Sequence, residues 1–409
     1  MSADVRAAVE TAYREEWGQV VATLIGFTGN WDLAEDSAQE AFAAALTTWA
    51  RDGVPRNPGA WLTIAARNRA TDRIRRDAVG AAKLRDLAAG QPVHDDPAGA
   101  GSEDIPDERL RLIFTCCHPA LPLPARVALT LRTLAGLTTA EIARALLSAE
   151  TTTGQRLSRA KRKIQDAGIP YRVPPAELLP ERLAAVLAVL YLIFNEGYGG
   201  ADQRALTVEA IRLARVLATL MPAEAEPRGL LALMLLHESR RATRLRDGEL
   251  VTLEHQDRSR WDAALIDEGV RILDEARAMR RTGPYQLQAA IAACHATAPD
   301  AAATDWARIA GLYADLSKLT SSPVVELNRA VAVAMADGIP AGLAIVDALA
   351  ESGSLEGYHL LPATRADLLR RDGRDAEARA SYEQALELVP SEVERRYLAK
   401  RLLDLAPEN

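Results

Sequence analysis

The chain has 409 residues, a formal net charge of −7 and 48% hydrophobic residues. This length predicts two to four domains rather than a single core. The net negative charge excludes a protein that coats nucleic acid over its whole surface, and the abundance of Ala, Leu, Arg and Glu predicts an all-α protein.

The first predicted elements are two helices between Val5 and Trp49, separated by a break at Gly26 to Asn30. We expect the second helix to start with Asp32 as N-cap and Glu35 completing a capping box. This helix has many acidic side chains, and they lie outside its apolar stripe. From the residues alone, a solvated surface is favoured over a docking surface for a basic partner.

A loop rich in Pro and Gly, Arg51 to Gly59, leads into a predicted helix over Trp61 to Arg76. Residues four apart on this helix form a line that can pack inward, namely Leu62, Ala66, Ala70 and Ile74. The opposite face carries an aromatic, an aliphatic and polar side chains, with arginines close by: Trp61, Ile64, Asn68, Thr71, Asp72 and Arg75, then Arg67, Arg73 and Arg76. Two interpretations stay open, a solvated Arg-rich face or a surface that binds nucleic acid.

Residues 87–106 combine Gly and Pro with acidic side chains and contain no Lys or Arg, which predicts a flexible linker. Residues 107–170 form a second predicted helical unit with a helix-turn-helix. Thr138 and Glu141 predict a capping box, and Ser148 to Glu150 the turn. On the next helix an inward face is predicted for Thr153, Leu157, Ala160 and Ile164. The outward side chains suit the major groove of DNA, although a helical hairpin with a charged face is the alternative.

Three cysteines, Cys116, Cys117 and Cys294, are too few for a disulfide framework and indicate a reducing, cytoplasmic compartment. The run Cys116-Cys117-His118 has no second ligand pair at a usable spacing, so we expect buried thiols and no metal site. No cofactor is expected either. The longest apolar run, Leu183 to Phe194, is too short to span a bilayer and predicts a core helix.

Residues 171–409 predict a stacked array of helix pairs. The spacing of small and aromatic residues at Ala366, Leu369, Gly373, Ala378, Tyr382, Ala385 and Pro390 is typical of a tetratricopeptide unit. Residues 326–349 repeat the pattern more weakly.

One segment of this array, Arg240 to Trp261, is dense in charge and could house an enzyme site with Glu238, His255 and Asp257 as acid–base groups. No nucleophile–base pair or complete ligand set accompanies them, so an ion-pair network is the favoured interpretation, with no catalytic residue.

Two signatures in order resemble a known family. Residues 32–42 (DLAEDSAQEAF), Trp61-Leu62, Arg67-Asn68 and residues 72–76 (DRIRR) look like region 2 of bacterial sigma factors of the extracytoplasmic-function group. Glu141-Ile142-Ala143 and residues 156–161 (RLSRAK) resemble region 4, and the remainder is similar to a subgroup with a tetratricopeptide-like extension. The resemblance implies domains at 1–86 and 107–170, the linker between them, and the extension at 171–409.

The resemblance implies a protein that recruits core RNA polymerase to promoter DNA. Polymerase-binding residues would be Asp32, Glu35, Asp36, Gln39, Glu40 and Phe42. Residues binding the minus-ten element would be Arg56, Asn57, Trp61, Ile64, Arg67, Asn68, Thr71, Arg73, Arg75 and Arg76. Residues binding the minus-thirty-five element would be Thr152, Gln155, Arg156, Ser158, Arg159 and Arg162.

Gly154 departs from the family pattern, which often places a longer side chain there, so base contact at this position is not expected. The extension would bind a regulatory partner or contact the sigma domains or polymerase. The alternative function is a helix-turn-helix regulator that works without polymerase and has a tetratricopeptide-like protein-binding domain.

Overall fold

The computed structural model describes residues 3–86, 108–146, 148–199, 204–246, 249–390 and 392–405. These residues form eighteen α-helices, three short 3-10 helices and one short β-hairpin. The predicted linker at 87–106 lies outside the described residues. Contacts within the chain define two compact units, Met1–Leu220 and Met221–Asn409. The all-α prediction is confirmed.

Three long helices open the first unit: α1 (Ala3–Thr28), α2 (Trp31–Asp52) and α3 (Pro58–Asp86). They pack against one another around two fully buried tryptophans, Trp17 and Trp49. The next four helices form the second predicted unit: α4 (Glu108–Cys116), α5 (Leu123–Thr133), α6 (Thr139–Ala145) and α7 (Glu150–Asp166). A further helix pair, α8 (Leu179–Gly199) and α9 (Arg204–Leu220), completes this compact unit.

The predicted start of α2 was wrong. Helix α2 begins at Trp31, and its N-cap is Asn30, whose side-chain oxygen accepts a hydrogen bond from the Leu33 amide at 3.1 Å. Gly29 ends the preceding helix with a positive φ of 64° and leaves Asn30 extended. Because Asn30 already caps the third helical amide, Asp32 lies inside the first turn.

On α3 the predicted inward line is correct for three residues and wrong for the fourth. Leu62, Ala66 and Ala70 are fully buried, whereas Ile74 is 41% exposed. Each step of four residues turns about 40° further around a helix axis, so three steps carry Ile74 about 120° away from Leu62. Ile74 therefore leaves the face that packs on α1 and α2.

The helix-turn-helix is confirmed, although Glu150, which was predicted to lie in the turn, is the first residue of α7. Thr138 caps α6 in a reciprocal capping box with Glu141. On α7 the four residues predicted to face inward are buried, namely Thr153, Leu157, Ala160 and Ile164. The apolar spacing of α7 therefore fixes which side of this helix is free.

The adjacent cysteines lie in the core of this second helical group. The Cys116 sulfur lies 3.2 Å from the Thr133 hydroxyl, and the Cys117 sulfur lies 3.6 Å from the Thr130 hydroxyl. Burial raises the pKa of Cys117 to about 11 and that of Cys116 well above its usual value. The described residues contain no group of three or more His, Cys, Asp or Glu side chains placed to hold a metal ion.

Helix α8 buries the apolar run predicted to form a core helix, including Leu183, Val186 and Phe194. None of the helices in the described ranges is both long enough and apolar enough to cross a membrane.

The second unit contains nine helices in its described part: α10 (Glu226–Glu238), α11 (Ala263–Ala278), α12 (Pro284–Thr297), α13 (Trp306–Thr320), α14 (Pro323–Asp337), α15 (Ile339–Glu351), α16 (Leu360–Arg371), α17 (Asp375–Leu388) and α18 (Glu392–Leu403). Between α10 and α11 lie a hairpin, β1 (Leu245–Arg246) paired antiparallel with β2 (Glu249–Leu250), and three short 3-10 helices at Arg241–Thr243, Leu253–His255 and Arg258–Arg260. Consecutive helices pack in pairs.

The tetratricopeptide-like spacing is confirmed at α16 and α17. Ala366, Leu369, Ala378 and Ala385 are completely buried, and Tyr382 is nearly so. Gly373 turns the chain between the two helices with a φ of 74°, a conformation that favours glycine. Small residues thus allow two antiparallel helices to approach closely.

Candidate nucleic-acid interface

The outer face of α3 presents apolar and cationic groups together. Ile64 is 62% exposed, which is unusual for a large aliphatic side chain. The Arg67 guanidinium lies 4.5 Å from the centroid of the Phe27 ring, and Phe27 is itself 42% exposed. Trp61 is half-buried and meets the buried Trp49 edge to face, with ring centroids 5.6 Å apart. Such a surface can stack on bases and pair with phosphates.

The residues predicted for the minus-ten element share this neighbourhood of α3 and the loop before it. Those with exposed side chains are Arg56, Asn57, Ile64, Arg67, Asn68, Arg73, Arg75 and Arg76, and those half-buried are Trp61 and Thr71. The Asn57 side-chain oxygen accepts a hydrogen bond from the Ala60 amide at 3.0 Å, so it also stabilises the start of α3. Phe27 was not predicted, because it belongs to the end of α1 and only packing brings it beside α3.

The six residues of α2 that were predicted to bind polymerase fall into three environments. Asp36 and Glu40 are exposed and lie 3.5 and 3.6 Å from the Arg73 guanidinium on α3. Asp32 and Gln39 are also exposed. Phe42, by contrast, lies in the core, 5.0 Å from the Tyr13 ring centroid.

Glu35 is the third case, because it is only 4% exposed. Its carboxylate accepts a hydrogen bond from Arg132 on α5 at 2.9 Å and lies 2.8 Å from the Lys161 ammonium on α7. The same ammonium lies 2.8 Å from Asp32. A carboxylate buried this deeply is stabilised only by such paired cations.

The surface of α7 that was predicted to bind DNA has two sides. One side, with Thr152, Gln155, Arg156 and Arg159, lines a groove of about 570 Å³, and no acidic residue is among the described residues that line it. The other side, with Ser158 and Arg162, lines a groove of about 420 Å³ together with Asp32, Glu35 and Asp36. All six predicted residues are exposed except Arg156, which is half-buried.

Packing does not require glycine at position 154. A Cβ placed there would meet only the Thr139 methyl group, at 3.8 Å. The structure gives no steric reason for this departure from the family pattern.

Two arginines of the last helix pair in the first unit hold the helix-turn-helix group. Arg182 on α8 donates to the carbonyl oxygen of Phe114, and Arg212 on α9 donates to that of Leu134, both at 2.9 Å. The segment that follows residue 170 is therefore in direct contact with the helix-turn-helix group.

The three side chains considered as acid–base groups do not converge. Glu238 pairs with Arg241 at 2.7 Å, the His255 ring bonds the Thr252 hydroxyl at 2.8 Å, and Asp257 accepts from the Ser259 amide and hydroxyl. His255 lines a groove of about 430 Å³ whose described lining includes neither of the two carboxylates. Glu254 pairs with Arg371 at 2.7 Å, which fits the expected ion-pair network.

A three-helix unit with an acidic second helix and a basic third, followed by a helix-turn-helix, defines a helical nucleic-acid-binding protein. Residues 12–79 match the family model described as Sigma-70 region 2, and residues 111–164 match Sigma-70, region 4. Residues 182–277 match a Family of unknown function (DUF6596).

Two relatives add to this picture. An uncharacterized protein of Rhizobium meliloti, R00370, is 43% identical over 402 residues, which cover 95% of this chain and 94% of that protein. The probable ECF RNA polymerase sigma factor SigI of Mycobacterium tuberculosis is 29% identical over 174 residues, which cover 41% of this chain and 58% of that protein. The chain belongs to the extracytoplasmic-function group of the sigma-70 family and carries a C-terminal extension.

Proposed function

We propose that this protein binds core RNA polymerase in the cytoplasm and directs it to specific promoters, and that its C-terminal extension regulates this activity. The observation that carries the proposal is the outer face of α3. An exposed Ile64 beside the stacked Arg67 and Phe27 offers both a surface for unstacked bases and charge for phosphates.

Region 2 would hold one strand of the minus-ten element. A base must leave the duplex stack before its edge is read in a single strand, at a cost of a few kcal/mol. Stacking on aromatic and aliphatic side chains offsets this cost, and Arg56, Asn68, Arg75 and Arg76 are exposed near that surface. Region 4 would contact the minus-thirty-five element through the free side of α7.

Polymerase docking would use the acidic surface of α2. Asp32, Asp36, Gln39 and Glu40 are exposed and could meet a basic helical face of the polymerase. Phe42 would act by keeping α2 in place, since it lies in the core. The polymerase supplies the chemistry of RNA synthesis, so the proposal assigns no catalytic residue or cofactor to this chain.

Regulation by the extension is supported by Arg182 and Arg212, which bind backbone carbonyls of the helix-turn-helix group. A change in the extension can therefore reach region 4 through direct contacts.

Transcription from genomic promoter fragments with purified core polymerase tests the proposal. We expect promoter-dependent transcripts only when this protein is added. If no fragment yields a transcript while the protein alone protects specific DNA from cleavage, the chain is a regulator that works without polymerase.

A charge reversal tests the docking surface. Asp36→Lys with Glu40→Lys should weaken binding to core polymerase without changing the circular dichroism spectrum. The matched control is Glu383→Lys with Glu387→Lys, an exposed pair of the same spacing on α17. Equal affinity of both double variants for core polymerase would rule out this docking surface.

A single substitution tests the recognition helix. Arg159→Ala should cost about 1–3 kcal/mol of binding free energy at one base pair of the upstream element. A uniform loss across all sequences would instead mark Arg159 as a phosphate contact.

A further inference from the structure

A groove in the second unit lies between the hairpin that follows α10 and the last helix, α18. Side chains from the hairpin and from the residues just after it form one wall, and side chains of α18 form the other. We call this the hairpin groove. Its volume of about 430 Å³ is within the range of small-molecule sites.

Cationic side chains outnumber carboxylates in the hairpin groove. Its described lining includes the cations Arg246, Arg396, Lys400 and Arg401 and the carboxylates Glu249 and Asp404. This surplus of positive charge belongs to a chain whose net charge is −7. Because a cleft with an excess of one charge concentrates ions of the opposite charge, the groove should attract an anion.

The ion pairs already present leave hydrogen-bond donors for such an anion. The Lys400 ammonium lies 3.1 Å from the Glu249 carboxylate, yet the Lys400 side chain is 66% exposed. The Arg401 guanidinium donates to the Tyr397 hydroxyl at 3.1 Å and lies 3.8 Å from the Asp404 carboxylate. An ammonium has three N–H donors and a guanidinium has five, so neither cation is saturated by these contacts.

The kinds of side chain in the groove indicate which anion fits. Three of its cations are arginines, whose planar forks match the oxygens of a phosphate group. A phosphate monoester carries about 1.5 to 2 negative charges at pH 7, close to the surplus of cations over carboxylates. Leu250, Val251 and Tyr397 add apolar surface against which an organic group can pack.

We propose that the hairpin groove binds a small organic phosphate monoester. A long polyanion fits less well, because the acidic chain would repel the part of it that lies outside the groove. This inference does not depend on the proposed function, since binding requires neither polymerase nor DNA.

The ligand would connect two parts of the second unit that are distant in sequence. Glu249 and Lys400 are 151 residues apart, and β2 packs directly on α18. A phosphate that contacts Arg246 and Lys400 together would reduce the repulsion between these cations and hold the hairpin against α18. Binding should therefore stabilise the folded protein and raise its melting temperature.

Calorimetric titration of the full chain with phenyl phosphate tests the site. Arg246→Ala should weaken binding by about tenfold, because a hydrogen bond between two charged groups is lost. The matched control is Arg260→Ala, which removes another exposed arginine from the same connection between α10 and α11 but lies outside the described lining. Arg260→Ala should leave the affinity unchanged.

A second pair of variants should act in the opposite direction. Glu249→Gln removes a carboxylate that competes for Lys400, so it should tighten the binding of phenyl phosphate by about threefold. Glu254→Gln removes an exposed carboxylate of the same connection that pairs with Arg371 instead and is outside the described lining. It should have no effect on binding.

Hydrogen exchange locates the ligand. Phenyl phosphate should slow amide exchange in residues 249–255 and 396–404. Protection confined to other segments overturns the proposal, as does failure of phenyl phosphate to bind or an equal effect of Arg246→Ala and Arg260→Ala.

The chemical class is tested with phthalate, an aromatic dicarboxylate of the same charge. Phthalate should bind more weakly than phenyl phosphate, and tighter binding of phthalate would contradict a phosphate site. If circular dichroism shows that Arg246→Ala does not fold, the comparison of Glu249→Gln with Glu254→Gln decides.

Discussion

At the scale of single residues, Glu35 shows how one carboxylate in an acidic cluster can differ from its neighbours. Asp36 and Glu40 form ion pairs with Arg73 at the surface, where such pairs contribute about 0–1 kcal/mol to the free energy of unfolding. Glu35 is buried between Arg132 and Lys161. Because burial removes water from these charges, each group is stabilised by the opposite charge of its partner. Glu35 should therefore contribute much more to the free energy of unfolding than Asp36 does.

Replacing Glu35 by Ala should lower the free energy of unfolding by about 3 kcal/mol, because two partly buried cations lose their partner. Asp36→Ala should change it by less than about 1 kcal/mol. Urea unfolding of the full chain, followed by circular dichroism, measures both. Similar effects of the two substitutions would contradict the burial of Glu35.

The cysteines allow a second prediction at this scale. Burial raises the pKa of Cys117 from its usual 9.0 to about 11, and that of Cys116 upward as well. Ellman's reagent at pH 8 should therefore react with these two thiols only after the protein is unfolded.

The raised pKa of Cys117 also makes the free energy of unfolding depend on pH. A folded-state pKa above the unfolded value means that the neutral thiol stabilises the fold fully below about pH 9 and that this contribution is lost as the pH rises towards 11. The urea midpoint should fall over that window. A Cys117→Ala variant should lose part of this pH dependence.

At the scale of helices, small residues set how closely pairs approach in the second unit. A Cβ at Gly342 on α15 would lie 2.4 Å from the Ala334 Cβ and 2.6 Å from the Ala330 carbonyl oxygen on α14. A Cβ at Gly311 on α13 would meet nothing within 4 Å. The two glycines thus have opposite roles, although both lie inside helices.

Gly342→Ala should destabilise the protein by about 1–3 kcal/mol through overpacking. Gly311→Ala should stabilise it by about 0.5–1 kcal/mol, because alanine favours a helix and open space surrounds the position. Thermal unfolding of both variants checks the pair. Stabilisation by Gly342→Ala would mean that α14 and α15 are not packed this closely.

Helix patterns were predicted well wherever one face is buried. The inward residues of α7 and the capping box of α6 follow from spacing and local hydrogen bonding. The start of α2 could not be predicted, because it depended on which of two polar residues caps the helix. The exposure of Ile74 could not be predicted either, because it depended on how far α3 remains packed.

At the scale of the whole molecule, the first compact unit extends beyond the helix-turn-helix group. Helices α8 and α9 belong to it, and Arg182 and Arg212 bind carbonyls of Phe114 and Leu134. The sequence predicts a domain boundary at residue 170, whereas the contacts divide the two compact units between Leu220 and Met221.

A fragment of residues 1–220 should therefore be more stable than one of residues 1–170, by at least about 2 kcal/mol. In the shorter fragment, both carbonyl oxygens lose their arginine donors, and the parts of α4 and α5 that α8 covers become exposed. Urea unfolding compares them. The double substitution Arg182→Ala with Arg212→Ala in the longer fragment is the control that isolates the two hydrogen bonds. Equal stability of the two fragments would place the folding boundary at 170.

Local order along the chain was determined by the sequence itself: the helices, the helix-turn-helix, the tetratricopeptide-like spacing and the two family signatures all depend on neighbours within a few turns. Only the tertiary structure decided that Phe27 joins the face of α3, that Glu35 is buried while Asp36 is exposed, and that regions 2 and 4 contact each other. These facts depend on groups far apart in the chain, such as Glu35 and Arg132. A periodic pattern reports which side of a helix is covered, but it does not identify the segment that covers it.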